Sequence, residues 1–261
     1  MKLGIAINTL GLPIRRALAE CARLGVSGVQ VDAVGELAPD QFTQTGRREF
    51  RNVLRSYGLE LTAVGCPLRY ALNEPMHQDG RLEHVRKVMS LSFDLGPRLV
   101  VAPHGQIPAE FDSLPGQRMT EALLALGQHG DRIGARLALE SGLEPGQRLS
   151  DFLARLDTGG LAVNYDPANF LFNGYDPLTE LNYLMKRIAH VHARDARANR
   201  ANRAAQEVPV GAGDLDWMTL TATLDACEYA GYLTVKREQG EDRLADIAAG
   251  VGVLRRLVRF N

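Results

Sequence analysis

Eight short β-branched or apolar runs alternate with eight stretches of helical periodicity along the 261 residues of this chain, and that alternation constrains its fold more than any other feature. Strands separated by helices pair in parallel, because each helical crossover returns the chain to the same end of the sheet. Eight such units predict a closed (β/α)8 TIM barrel. The strand-like runs are residues 2–8, 28–33, 61–66, 98–104, 136–140, 161–166, 188–192 and 232–238. Between them, apolar residues recur at i, i+3 and i+4, as in Leu82, Val85, Val88, Met89 and Leu91, or Ile247, Val251, Leu254 and Leu257. Gly25, Gly58 and Gly96-Pro97 read as helix stops, Pro177 as a helix start, and Ser150 or Asp151 as the start of the fifth helix. No linker or shift in composition divides the pattern, so one domain over residues 1–261 is expected.

Composition narrows the partners. A net charge of −1 provides no basic field to recruit nucleic acid or an acidic membrane. Cys21, Cys66 and Cys227 are scattered and form no CxxC pair, which points to reduced thiols in a cytoplasmic setting. Residues 1–8 run straight into a strand rather than a signal peptide, and no apolar stretch reaches the length of a membrane span. The expected partner is a small molecule.

Four side chains stand at or just past the ends of strand-like runs: Glu140, Asp166, His192 and Glu238. In a parallel barrel these positions open into one shared mouth. Three carboxylates and an imidazole gathered there suit one hard or borderline divalent cation. Glu140, Asp166 and His192 follow one another at intervals of 26 residues, about the length of one βα unit, so they occupy equivalent places in successive units. Each has a plainer reading. Glu140 serves as well as a helix cap or rim salt bridge, Asp166-Pro167 as a turn starter, and a single histidine as a packed core residue. His190, two residues before His192, shares its face and reads as a residue beneath the site. Asn169 is placed to turn its amide to a substrate hydroxyl.

Two irregular stretches follow strand ends and would lie over the mouth, residues 67–80 and 193–210. The second carries Arg194, Arg197, Arg200 and Arg203, read either as a phosphate or carboxylate clamp or as a solvated lid. Gly211 and Gly213 allow a tight turn into the seventh helix, and Trp217 reads as core or pocket wall.

With these residues in place, nearly the whole chain resembles the xylose-isomerase-like TIM barrels, the sugar phosphate isomerases and epimerases of the AP-endonuclease-2-like superfamily. The matching features are Leu139-Glu140, Asp166-Pro167-Ala168-Asn169, His190-Val191-His192-Ala193-Arg194-Asp195 and the turn Gly211-Ala212-Gly213-Asp214-Leu215-Asp216-Trp217. The resemblance implies one divalent metal (Mn, Mg, Co or Zn) held by Glu140, Asp166, His192 and an acid of the eighth strand. It also implies that Glu140 and the eighth-strand acid act as the acid–base pair on a carbohydrate, through an enediolate. Relatives often place that acid where Lys236 stands. Glu238, two residues on and of the same parity, is taken as the fourth ligand and second catalytic acid. If Lys236 fills the ligand position instead, its ammonium repels a cation and is free to bind an anionic group. His104, Asn169, Arg194 and Lys236 are the substrate-binding candidates.

The expected activity is a metal-dependent isomerase or epimerase. A keto-sugar or inosose dehydratase on the same site, and a metal-poor sugar-binding barrel, remain alternatives. A multi-zinc nuclease is disfavoured, because Cys66-Pro67-Leu68-Arg69 lacks the early histidine and Asn169 replaces a later one. The resemblance also allows a homodimer.

Overall fold

The computed structural model describes residues 1–199 and 204–258. Its strands are β1 (Lys2–Ala6), β2 (Gly28–Asp32), β3 (Glu60–Gly65), β4 (Leu99–Ala102), β5 (Arg136–Glu140), β6 (Leu161–Tyr165), β7 (Ile188–Ala193), β8 (Asp195–Asn199), β9 (Ala204–Val208) and β10 (Tyr232–Val235). Eight of them close in the order β1-β10-β7-β6-β5-β4-β3-β2, parallel throughout, which is the (β/α)8 TIM barrel expected from the alternation. The helices are α1 (Ile14–Arg23), α2 (Gln44–Ser56), α3 (Gln78–Leu95), α4 (Leu114–Ile133), α5 (Gly146–Ala154), α6 (Pro167–Phe172), α7 (Pro177–Leu184), α8 (Trp217–Ala226) and α9 (Arg243–Leu257). Among the described residues no helix is long and apolar enough to cross a membrane.

The period of two along each strand sorts the core into two parts. Val64, Val100, Leu137, Leu139 and Val163 pack outward under the helices in the large core. Each such side chain, fully buried, contributes about 1.5–3 kcal/mol. Their neighbours Ala63, Leu99, Val101, Ala138 and Ala162 form a separate, smaller cluster that fills the barrel. Glu140 stands two residues beyond Ala138 and Asn164 two beyond Ala162, so the polar layer rests on this plug of small side chains.

The helices start where short polar side chains can cap them. Thr43, Ser113, Asp176, Asp216 and Asp242 each accept a hydrogen bond from a first-turn N–H. The fifth helix differs from expectation: it begins at Gly146 after Pro145, and Ser150 and Asp151 lie inside it. Helix α6 is additional to the eight expected, and it begins at the Asp166-Pro167 pair. Asp166 caps it by accepting from the Asn169 N–H at 3.2 Å, and Pro167 occupies its first position.

The largest departure from expectation lies in residues 193–210. Where an irregular stretch was expected, its described residues contain two paired strands, β8 and β9, which run antiparallel with Asp195 opposite Val208. Asp195 clips the hairpin to the barrel. Its carboxylate accepts from the Gly211 N–H at 2.8 Å and from the Trp217 indole N–H at 2.9 Å. It also receives the Gly213 N–H, and a Cβ at Gly213 would overlap that carboxylate. Gly211 has φ +86°, a region that glycine enters without strain. Trp217 is therefore a buried core residue with a fixed polar end. Arg200 and Arg203 lie outside the described residues.

Candidate metal centre and rim cavity

A cavity of about 340 Å³ opens at the C-terminal ends of the strands. Ala6, Gln30, Gly65, Val101, Glu140, His192 and Lys236 contribute from the strand ends, and Pro67 and Leu68 from the loop after β3. The volume suits a small polar molecule.

Glu140 ends β5, Asp166 follows β6 directly, and His192 is the penultimate residue of β7. Each offers one donor atom, and the three atoms lie within 4.8 Å of one another. His192 Nδ1 is 3.1 Å from Glu140 Oε1 and 3.7 Å from Asp166 Oδ2. The imidazole is oriented from behind. Its Nε2 lies 2.9 Å from Gln30 Oε1, an acceptor, so Nε2 carries a proton and Nδ1 is the nitrogen turned toward the two carboxylates. Asn164 completes the support: its amide nitrogen is 2.9 Å from His192 Nδ1, and its oxygen accepts from His190 Nδ1 at 2.8 Å. His190 in turn receives the Thr234 hydroxyl at Nε2. Burial, with the charges of His192 and Lys236 beside it, holds the His190 pKa well below its ordinary value, so this ring is neutral. Two carboxylate oxygens and an imidazole nitrogen converging in this way fit a divalent cation.

The fourth position differs. Lys236 follows β10 directly, and its ammonium lies 3.3 Å from Glu140 Oε1 and 2.8 Å from Glu238 Oε1. Glu238 stands beyond this lysine with a half-exposed side chain, and its other oxygen is 3.1 Å from Arg194 Nη2. Glu238 is thus outside the converging trio, although it does line the cavity.

Arg194 is buried rather than solvated. Its Nη1 bonds Asp166 Oδ2 and Asn169 Oδ1, both at 3.0 Å, and its Nε bonds Glu207 Oε1 at 3.1 Å. Glu207, on β9, also accepts the backbone N–H groups of Glu238 and Gln239, tying the hairpin to the end of β10. Burial opposes ionisation of Asp166, but the Arg194 guanidinium at 3.0 Å outweighs it and holds the carboxyl below its usual range. The same contest at Glu140 is won by Lys236 and His192, and that carboxyl also lies low.

Of the substrate-binding candidates, only Lys236 lines the cavity. Asn169 donates to the Ser141 carbonyl and accepts from Arg194. His104 is fully buried against Glu144, with its Nε2 3.2 Å from Oε1. Sequence reasoning passed over Gln30, Asp32 and Glu207. Asp32 ends β2 and lines the cavity, so the rule that located Glu140 applies to it equally. Burial raises its pKa above the ordinary carboxylate value, against the pull of Lys236 and His192. Cys66 also lines the cavity, but burial pushes its thiol up to about 12, which leaves it unreactive at neutral pH.

Comparison with known proteins places the fold and the family. The inosose dehydratase of Geobacillus thermodenitrificans is 29% identical over 113 residues, a stretch that spans 38% of this chain and 38% of that protein's own length. The rhizopine catabolism protein MocC of Rhizobium meliloti is 25% identical, over 92% of this chain and 83% of that protein. Among solved structures, a xylose isomerase domain protein from Planctomyces limnophilus superposes with a TM-score of 0.87 at 22% identity, covering 98% of this chain and 96% of that one. A D-psicose 3-epimerase from Clostridium cellulolyticum, solved with D-tagatose, superposes at 0.77 with 16% identity, covering 98% and 99% of the two chains. The family model described as xylose isomerase-like TIM barrel matches residues 18–257, and the chain belongs to that family.

Proposed function

We propose that this protein is a divalent-metal-dependent enzyme that isomerises or epimerises a carbohydrate, free or phosphorylated, by moving a proton beside a carbonyl. The observation that carries this reading is the convergence of Glu140, Asp166 and His192 at the rim of the cavity. These three residues would hold the cation, which when bound supplies a Lewis acid that polarises a substrate carbonyl. Lys236 and His192 keep Glu140 ionised, so its base form is present at neutral pH and can take a proton from the carbon next to the carbonyl. Glu238, across the Lys236 ammonium from Glu140, is the partner that returns a proton. The Lys236 N–H groups face the cavity and stabilise the substrate oxygen on which enediolate charge develops. Asn8, Gln30 and Asp32 line the same space and can hold hydroxyl groups.

A dehydratase acting on a keto-cyclitol or keto-sugar is the second reading, supported by the inosose dehydratase similarity. It begins with the same proton removal and ends with loss of a β-hydroxyl as water. The test is incubation with ketoses and inososes in deuterated water with Mn²⁺. Deuterium incorporation without loss of water favours isomerisation or epimerisation, whereas loss of water to an enol that tautomerises to a 1,2-dicarbonyl favours dehydration. Absence of exchange and of water loss across the panel would sink both readings.

A further inference from the structure

We propose that Lys236 is a built-in competitor for the divalent cation, its ammonium holding Glu140 in the metal-free protein so that an ion enters only by displacing it. This rests on the metal-centre reading above and adds to it that the site is a weak, three-ligand one.

The register fixes where Lys236 stands. Thr234 pairs with His192 and Val235 with Ala193 across β10 and β7, so the residue that follows β10 rises beside the His192 ring at the rim. Its ammonium then lies within 3.3 Å of the Glu140 oxygen that also faces His192 Nδ1. Asp166 is likewise matched, by Arg194 at 3.0 Å. Both carboxylates of the trio are therefore paired with resident cations before any ion arrives. A dication adds two positive charges beside two already present, and only three protein donor atoms converge to hold it.

The two resident cations differ in their freedom to yield. Arg194 is held by Asp166, Asn169, Glu207 and Glu238 together, and its planar fork is committed to them. Lys236 has a flexible four-carbon stem and a second partner, Glu238, at 2.8 Å, toward which it can withdraw. It is therefore the cation that moves. Without it, the carboxylate of Glu140 would be buried at the rim with no positive charge on it, which is costly.

The experiment is Mn²⁺ titration by calorimetry of chelator-stripped wild type, Lys236→Gln and Lys236→Glu, with folding checked by circular dichroism. Removing the ammonium should tighten Mn²⁺ binding roughly tenfold, and adding a carboxylate should tighten it roughly 100-fold. Metal-free Lys236→Gln should also melt below the wild type and gain more from saturating Mn²⁺. Equal affinities in all three proteins, or weaker binding by Lys236→Gln, would overturn the competitor role and leave the metal centre standing. No binding by any folded protein would overturn both. Should neither variant fold, wild-type protein with ¹³C-labelled lysine carries the test: the Lys236 Cε resonance should move on Mg²⁺ saturation, and a stationary resonance at saturation overturns the proposal.

Discussion

The β5–β7 sector and the end of β10 face the same cavity, yet they present opposite chemistry. The first brings two carboxylates and an imidazole within 4.8 Å of one another, each from the C-terminal end of its own strand. The second brings an ammonium to one of those carboxylates and holds its own acid, Glu238, at arm's length. The barrel repeats its geometry from unit to unit, but the residue at a given place is free to change sign. A ring of strand ends therefore shows where chemistry occurs; the charges at those ends decide which chemistry it is.

Turnover separates the two sectors most strongly. Glu140→Ala should lower the rate on the true substrate by roughly 10²–10⁴-fold, since it removes a metal donor and a base together. Glu238→Ala removes only a proton-transfer partner and should fall at the lower end of that range. Equal losses, measured as kcat/KM, would place Glu238 in the ligand set and erase the contrast.

Arg194 links the sectors, and its loss should be felt as stability. Arg194→Met leaves buried Asp166 and Glu207 without their main counter-charge, and breaking such a network costs about 3–5 kcal/mol. Urea unfolding at neutral pH checks this; a change within experimental error would show that the clamp is not structural. The hairpin clip is a smaller part of the same support. Trp217→Phe leaves the buried Asp195 carboxylate one donor short and should cost about 1–3 kcal/mol.

The smallest effect is on acid stability. Glu140 and Asp166 both titrate below their ordinary values in the folded protein. The folded state thus binds fewer protons than the unfolded chain. The stability they contribute is complete above the ordinary carboxylate pKa of about 4 and is lost as the pH falls through the lowered values. Asp166→Asn should flatten the acid limb of a stability–pH curve below that point, and an unchanged limb would mean that other carboxylates set it.

How far the sequence revealed this arrangement varies from place to place, for physical reasons. Arg136–Glu140 is a strand with the expected bounds, because its apolar alternation is uninterrupted and Glu140 meets the rim. The eighth barrel strand stops at Val235, three residues short of expectation: the Lys236 N–H still reaches the Ala193 carbonyl, and Arg237 and Glu238 then turn to ion-pair partners. The β8–β9 hairpin was hidden because its sequence lacks apolar alternation. Its attachment comes from Asp195, which collects N–H groups from residues 16 and more positions away. Glu207 sits in an ordinary polar stretch, and only the folded chain shows it buried between Arg194 and Arg237. The interval of 26 residues exposed the trio, whereas the charge pairing that governs it depends on contacts up to 96 residues apart.

The central claim is that Glu140, Asp166 and His192 converge on one cation, and a crystal soaked in Mn²⁺ tests it most directly. Anomalous difference maps should show a single peak bonded to Glu140, Asp166 and His192 Nδ1, with the Lys236 ammonium moved off Glu140. A Mn²⁺ peak elsewhere, or none at saturating concentration with the Lys236–Glu140 pair intact, would contradict it.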